Sequence, residues 1–341
     1  MTPTASGQPV NDQDLPGISV VAIGRNEGER LVRCLRSVLD ADYPKDKLEL
    51  IYVDTNSTDD SCANAEKLGA KVIKVNPLRP TAATARNPGW HAAKHDLIQF
   101  LDGDTILNPS WLRAGVAALA DPDIACVFGH RDELAAADTI YNFWAHHDWY
   151  VPPGLADSCA GDALFRRDVL ETANGYDESL IAGEEPDLCY RIRSEQHKII
   201  MSIDLPMTQH DMGMTRFSQY WRRCMRTGHA FAEVGGRHRG MKRWRMNRWR
   251  NLFYGAGTPV AVGCSIALWH AWPILAWVAL VMLAILRNAC RLRPRQASFA
   301  DALCYSAHHY LAKTPTAIGQ CVYWFRSAFR RKPQRLIEYR T

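Results

Sequence analysis

Between Ile18 and Leu101 the chain alternates short β-branched apolar runs with stretches of helical periodicity. Ile18–Ile23, Leu48–Val53, Lys71–Val75 and Leu97–Leu101 read as strands. Glu27–Leu39, Asp59–Leu68 and Thr81–Lys94 read as the helices between them, with Leu31, Cys34, Leu35 and Val38 at helical spacing in the first. This alternation leaves little choice of architecture, because repeated βαβ units close a parallel sheet through right-handed crossovers. The carboxyl ends of the strands then share one edge, where open α/β sheets bind ligands. From about Asp121 the pattern loosens; Ile124–Gly129, Asp162–Arg166 and Ile199–Ile203 are further candidate strands.

The chemistry-bearing residues cluster at the expected edge. Asp102-Gly103-Asp104 follows the run Leu97–Leu101 directly. Side chains two apart in extended chain point the same way, so both carboxylates can face one hard cation and its diphosphate. Asn108 and Pro109 suffice to start the next helix, which leaves the two aspartates for a ligand. Asp54 and Asn56 lie in the loop after Leu48–Val53, where Ser57 or Thr58 is expected to cap the next helix and Asp54 to accept from a base or ribose. Arg25, Asn26 and Glu27 form the corresponding loop after the first strand. Arg86 reads either as a diphosphate or base contact or as a salt-bridge partner.

Two further places carry acidic or basic chemistry. Glu184, Glu185 and Asp187 sit around Pro186, just before a helix expected over Asp187–Arg193. Crowded carboxylates raise one another's pKa, which suits a general base; the same pattern also describes an ordinary acidic helix start. His210 stands alone, structural or ligating. Arg222 and Arg223, on an amphipathic helix over Arg216–Val234, face either a diphosphate or solvent and lipid.

The carboxyl-terminal third differs in composition. Net charge is +5, but Arg and Lys crowd the last hundred or so residues. A basic run from Arg237 to Arg250 carries Trp244 and Trp249, and Phe253–Leu286 is then almost free of charge. That length exceeds the ~20 residues of one span and breaks at Ala271–Pro273, so two short helices forming a membrane-associated hairpin, spanning or re-entrant, are expected, with a buried helical pair in a soluble subdomain as the other reading. Arg residues on both flanks put both ends in the cytoplasm. The apolar neighbour makes lipid, not nucleic acid, the anionic partner. The ten cysteines show no paired spacing and read as reduced thiols; Met1–Pro16 lacks a signal-peptide pattern and reads as a disordered leader.

The ordered blocks "VVAIGRNEGERLVRCLRSVL", "YP" before "LELIYVDTNSTDDS", "ARNPGW", "DLIQFLDGDTILNPSWL", "AGDALFRRDVLETANGYDE" and "GEEPDLCYRI" resemble glycosyltransferase family 2 over about Ile18 to Val234. The resemblance implies a GT-A fold, a Rossmann-like mixed sheet binding a nucleotide sugar and Mg²⁺ or Mn²⁺, with inversion by direct displacement. Together with the composition of the two ends, this sets the expected boundaries: 1–16 leader, 17–236 transferase domain and 237–341 membrane-associated region. Asp54 takes the base-contacting position, Asp102 and Asp104 the metal and diphosphate pair, and His210 a metal or phosphate contact. Gly183–Asp187 matches the base motif, with Glu185 at a position the family fills with Asp; Glu184 and Asp187 are its neighbours in that role. Gly161 and Asp162 fall in the acceptor loop. Gln219-x-x-Arg222 is present, but Arg223 replaces the Trp of processive members.

The function implied is transfer of a sugar, from UDP most often in the family, to a saccharide or lipid-linked acceptor at the cytoplasmic face of the plasma membrane. A nucleotidyltransferase would want a glycine-rich basic loop where "GRNEGER" stands. A membrane-anchored glycan-binding or scaffold protein would be expected to have lost the carboxylates, and all are present.

Overall fold

The computed structural model describes residues 11–296 and 298–329. The expected leader therefore lies outside the described residues as far as Val10. From Asn11 on, the segment packs against the domain: Asp12–Asp14 form a 3₁₀ turn, Leu15 is buried, and the Lys47 ammonium donates to the carbonyls of Asp12, Gln13 and Leu15.

Residue contacts divide the chain into two compact units. The first comprises the described residues up to Leu180 together with Glu184–Gly213; the second comprises Ile181–Gly183 and the described residues from Met214. In the first unit the strands are β1 (Ile18–Gly24), β2 (Leu48–Asp54), β3 (Lys71–Lys74), β4 (Leu97–Asp102), β5 (Thr105–Leu107), β6 (Ile124–Glu133), β7 (Gly154–Leu155), β8 (Ala163–Arg166) and β9 (Ile199–His210). Its helices are α1 (Glu29–Leu39), α2 (Ser61–Lys67), α3 (Ala82–Ala92), α4 (Trp111–Ala118), α5 (Ile140–Asp148), α6 (Arg167–Thr172) and α7 (Glu184–Glu195).

One sheet runs β3-β2-β1-β4-β8-β6-β9-β5, with β7 on β9. β3, β2, β1 and β4 are mutually parallel, as the βαβ alternation requires; β8 pairs antiparallel to both β4 and β6, and β5 antiparallel to β9, which makes the sheet mixed. Val20, Val21, Ile51, Ile98 and Phe100 are fully buried, so the parallel strands are covered on both faces. β1, β2 and β4 end on Gly24, Asp54 and Asp102, and this lines the predicted loops along one edge.

Some local expectations shift. α2 begins at Ser61, not Asp59, and neither Ser57 nor Thr58 caps it; Ser57 Oγ and the Thr58 N–H instead bond to Asn26 in the neighbouring loop. α4 begins at Trp111. α7 begins at Glu184, so both glutamates lie in its first turn rather than before it. Pro186 is tolerated there because first-turn N–H groups have no helical partner, and the positive helix end favours the carboxylates.

The second unit is helical: α8 (Phe217–Arg237), α9 (Lys242–Leu268), α10 (Trp272–Leu292), α11 (Phe299–Leu311) and α12 (Lys313–Ala328). The hairpin turn lies at residues 269–271, slightly before the expected Ala271–Pro273, because Trp272 and Pro273 already open α10, and its helices are not short. α9 takes the basic run into its own first turns and has 27 residues; α10 has 21. Each is long and apolar enough to cross a bilayer. Trp269, Ile266, Trp272, Leu275 and Leu283 are exposed.

Candidate active site

Three strand pairings assemble the site. Thr105 pairs with His210 across β5 and β9, and Glu133 pairs with His210 across β6 and β9. β4 pairs with β8 as far as Phe100 and Ala163, which sets Gly161 and Asp162 beside Asp102. The backbone N–H of Asp211 closes the arrangement by donating to the Asp104 carbonyl.

Asp102, Asp104 and His210 each turn one ligand atom towards the others, all within 4.8 Å. His210 Nε2 stands 3.1 Å from Asp104 Oδ2, and both side chains are almost wholly buried. On the far side of the imidazole, Glu133 Oε2 is 3.6 Å from Nδ1. Burial pushes the Glu133 carboxyl up to about 7, partly offset by the Met212 and Ala135 N–H groups it accepts. A carboxylate behind a ligating histidine fixes the ring's orientation, and that is the place Glu133 holds. Two carboxylates and an imidazole suit a hard, oxygen-preferring divalent cation, so the residues present fit Mg²⁺ or Mn²⁺.

The two carboxylates of the Asp-x-Asp pair are not equivalent. Arg86 Nη2 donates to Asp102 Oδ1 at 2.9 Å, and Arg131 Nη2 donates to Oδ2 at 3.0 Å. Asp104 pairs with His210. Arg86 is 1% exposed, and its other nitrogen reaches Glu185 Oε1 at 2.8 Å and Glu184 Oε1 at 3.4 Å. One buried guanidinium thus ties the metal-side aspartate to the acidic start of α7. Its plane lies over the Tyr176 ring. Arg131 lies 4.9 Å over Trp149, whose ring meets His210 edge-on at 4.7 Å.

Glu185 is pushed up to about 7, first by burial and next by the charge of Glu184, with Arg86 opposing. Asp187 is buried and held by Arg191 Nε at 2.9 Å, four residues on. Asp162 is fully buried: it accepts the Asp102 N–H at 2.9 Å and the Thr208 hydroxyl at 2.8 Å. A Cβ at Gly161 would lie 2.5 Å from Arg86 Nη2 and 2.8 Å from Asp102 Oδ2, so only glycine lets this loop pass the ion pair.

Asp54 is also committed locally, accepting the Tyr52 hydroxyl at 3.0 Å and the Ser57 N–H at 2.9 Å. Asn26 and Asn56 both adopt left-handed backbone at the tips of their loops, which asparagine tolerates. Arg25 and Asn56 are exposed, while Glu27 is buried and paired with Arg30. Arg222 and Arg223 are half-buried on α8 in the second unit. Gln219 accepts the N–H groups of Thr215 and Arg216, which caps that helix.

Arg131 and Glu133 are absent from the sequence expectations. They lie in the polar second half of β6, beyond the apolar run that marked the strand. The one signal for them was their place in the same strand as that run, two and four residues past its readable end.

A mixed sheet of this order, with an Asp-Asp-His cation site at the carboxyl edge, defines the GT-A class of glycosyltransferase fold. The mannosyltransferase PcManGT of Pyrobaculum calidifontis, solved with GDP-Man and Mn²⁺, shares this fold at TM-score 0.60 and 16% identity, over 94% of this chain and 90% of that one. Residues 19–172 match the model of glycosyl transferase family 2. Glycosyltransferase AglE of Haloferax volcanii is 30% identical over 34% of this chain and 40% of its own length. Beta-monoglucosyldiacylglycerol synthase of Synechocystis is 24% identical over 67% of this chain and 50% of its own. The chain thus spans about half the length, or less, of these curated relatives.

Proposed function

We propose that this protein is an inverting glycosyltransferase that moves a sugar from a nucleotide-sugar donor to a hydroxyl of a saccharide or lipid-linked acceptor, at the cytoplasmic face of a membrane. The observation that carries the reading is Arg86. It joins Asp102, beside the Asp104–His210 candidate cation site, to Glu185, the carboxyl of the α7 start that burial and Glu184 push up to about 7. Donor activation and acceptor deprotonation then occur within reach of one buried cation.

When bound, Mg²⁺ or Mn²⁺ supplies the positive charge that offsets the leaving diphosphate. Asp104 and His210 hold it with Asp102, and Glu133 keeps the His210 ring turned. Arg131 and Arg86 fix the Asp102 carboxylate from both sides. Glu185 Oε takes the acceptor hydroxyl proton as that oxygen attacks the anomeric carbon from the face opposite the diphosphate, a contribution of about 10²–10⁴-fold. Glu184 and Asp187 shape its environment. Arg25, Asn26, Glu27, Asp54 and Asn56 line the nucleotide end of the edge, and Arg222 and Arg223 are assigned to the diphosphate. Gly161 opens the acceptor loop, while Asp162 acts through Asp102.

The donor nucleotide is a pyrimidine or guanine diphosphate. UDP is the family's usual carrier, and the structural relative was solved with GDP-Man. A lipid-linked acceptor is supported by the relative named as a beta-monoglucosyldiacylglycerol synthase and by the apolar exposed faces of α9 and α10.

The test is release of nucleoside diphosphate from a panel of nucleotide sugars by membranes carrying the full chain, with Mn²⁺, Mg²⁺ or chelator. One donor should be turned over in a metal-dependent way, and Asp104→Asn should abolish it. Absence of both metal-dependent release and metal-dependent donor binding would overturn the reading.

A further inference from the structure

The second unit holds a groove that the transfer reaction does not use. It lies between α9 and α12, has a volume of about 500 Å³, and is walled by Leu252, Ala256, Ile318, Cys321 and Phe325. Volumes of ~300–1,000 Å³ are typical of ligand pockets. Its wall is apolar apart from Thr314 and one cation, Arg326. The Nη1 of Arg326 is buried, and among the described residues it has no hydrogen-bond partner. A shielded guanidinium nitrogen without an acceptor is costly and calls for an anion.

The groove is polarised along its length. α12 runs against α9 in reverse order: Ala317 sits against Gly255, and the Trp324 ring lies 5.5 Å from the Arg248 guanidinium. Arg326, two residues beyond Trp324, therefore belongs to the end of the groove where α9 carries Arg243, Arg245, Arg248 and Arg250. From there the groove leads along α9 into its uncharged part. Basic at one end and apolar along its walls, it has the polarity of a lipid, and α9 is itself one of the two helices apolar enough to enter a bilayer.

We propose that this groove is a binding site for a single anionic phospholipid of the bilayer, its phosphate on Arg326 and an acyl chain along Ile318, Cys321 and Ala256. The site takes a resident lipid, not the acceptor, and it sets a preference for anionic over zwitterionic headgroups. The inference rests on the membrane-association part of the reading above and not on sugar transfer.

The experiment uses the full chain in detergent, loaded with dioleoyl phosphatidylglycerol or dioleoyl phosphatidylcholine and read by native mass spectrometry. Flotation with vesicles of dioleoyl phosphatidylcholine alone is run beside it. One phosphatidylglycerol per chain should be retained in preference to phosphatidylcholine, and Arg326→Gln should lower that preference by about tenfold, the loss of one charge-assisted hydrogen bond. Ala256→Trp and Cys321→Trp, both at exposed positions and so without a core to disturb, should fill the groove and abolish retention of either lipid. These two keep the test intact if Arg326→Gln lowers the melting temperature. Equal retention of the two lipids by the wild type, or retention that survives both fillings, would overturn the site while leaving membrane association standing. Failure of the wild type to float would remove both.

Discussion

Asp102 and Asp104 differ by two positions, and the tertiary structure gives them different work. Asp102 is spanned by Arg86 and Arg131, so it serves as an anchor as much as a ligand. Asp104 is paired with His210 at the candidate cation site. Glu185→Gln should lower turnover by about 10²–10⁴-fold and leave donor binding nearly intact, measured as separate kcat and donor Kd values. Unchanged turnover would move the base to Glu184 or Asp187. Because the Glu185 carboxyl titrates near 7 rather than in the usual carboxylate range, it is protonated and idle below that pH and active above it. Turnover should therefore climb with pH through about 7 and then level off; a flat profile across about pH 6–8 would exclude Glu185. The sign for stability is opposite. The fold favours the protonated form, so what this group contributes in acid is lost as pH rises through its folded value. Gly161→Ala should cost turnover about 10²-fold by displacing Arg86 and Asp102, with the melting temperature less affected than the rate.

Among the elements, β6 and β9 teach most about legibility. The apolar run Ile124–Gly129 was readable, but the strand continues to Glu133 through a polar stretch with register shifts near His130. β9 likewise runs past its apolar start, through Pro206, to His210. Neither continuation carries an apolar alternation; both exist because each supplies the other's backbone partners. Arg131 and Glu133 were missed for that reason. The helices of the second unit show the converse, a packing visible only in three dimensions. A Cβ at Gly228 of α8 would fall 2.0 Å from the Thr316 carbonyl oxygen of α12. Gly228→Val should therefore force these helices apart and destabilise the protein by roughly 1–3 kcal/mol, read as a lowered melting midpoint. An unchanged midpoint would mean that the two helices do not pack this closely.

At the scale of the molecule, a GT-A-type α/β unit shares its chain with a helical unit carrying two bilayer-length apolar helices. Full-length protein should stay in the membrane pellet through a high-salt wash and come off only with detergent; extraction by salt alone would make the hairpin a packed subdomain. By itself the sequence determined the parallel half of the sheet, the edge that carries the candidate site, the Asp-x-Asp pair and the presence of an apolar helical hairpin. Each of these follows from local periodicity, or from a residue's place at the end of a readable strand. Tertiary structure alone decided that Arg86 bridges Asp102 to Glu185, that Asp54 and Asp162 are consumed by neighbouring donors, and that Arg131 and Glu133 belong to the site. Those contacts join β4, β6, β8, β9 and α7 across long stretches of chain. Which buried charge meets which partner is set by strand order and register, and no local pattern encodes either.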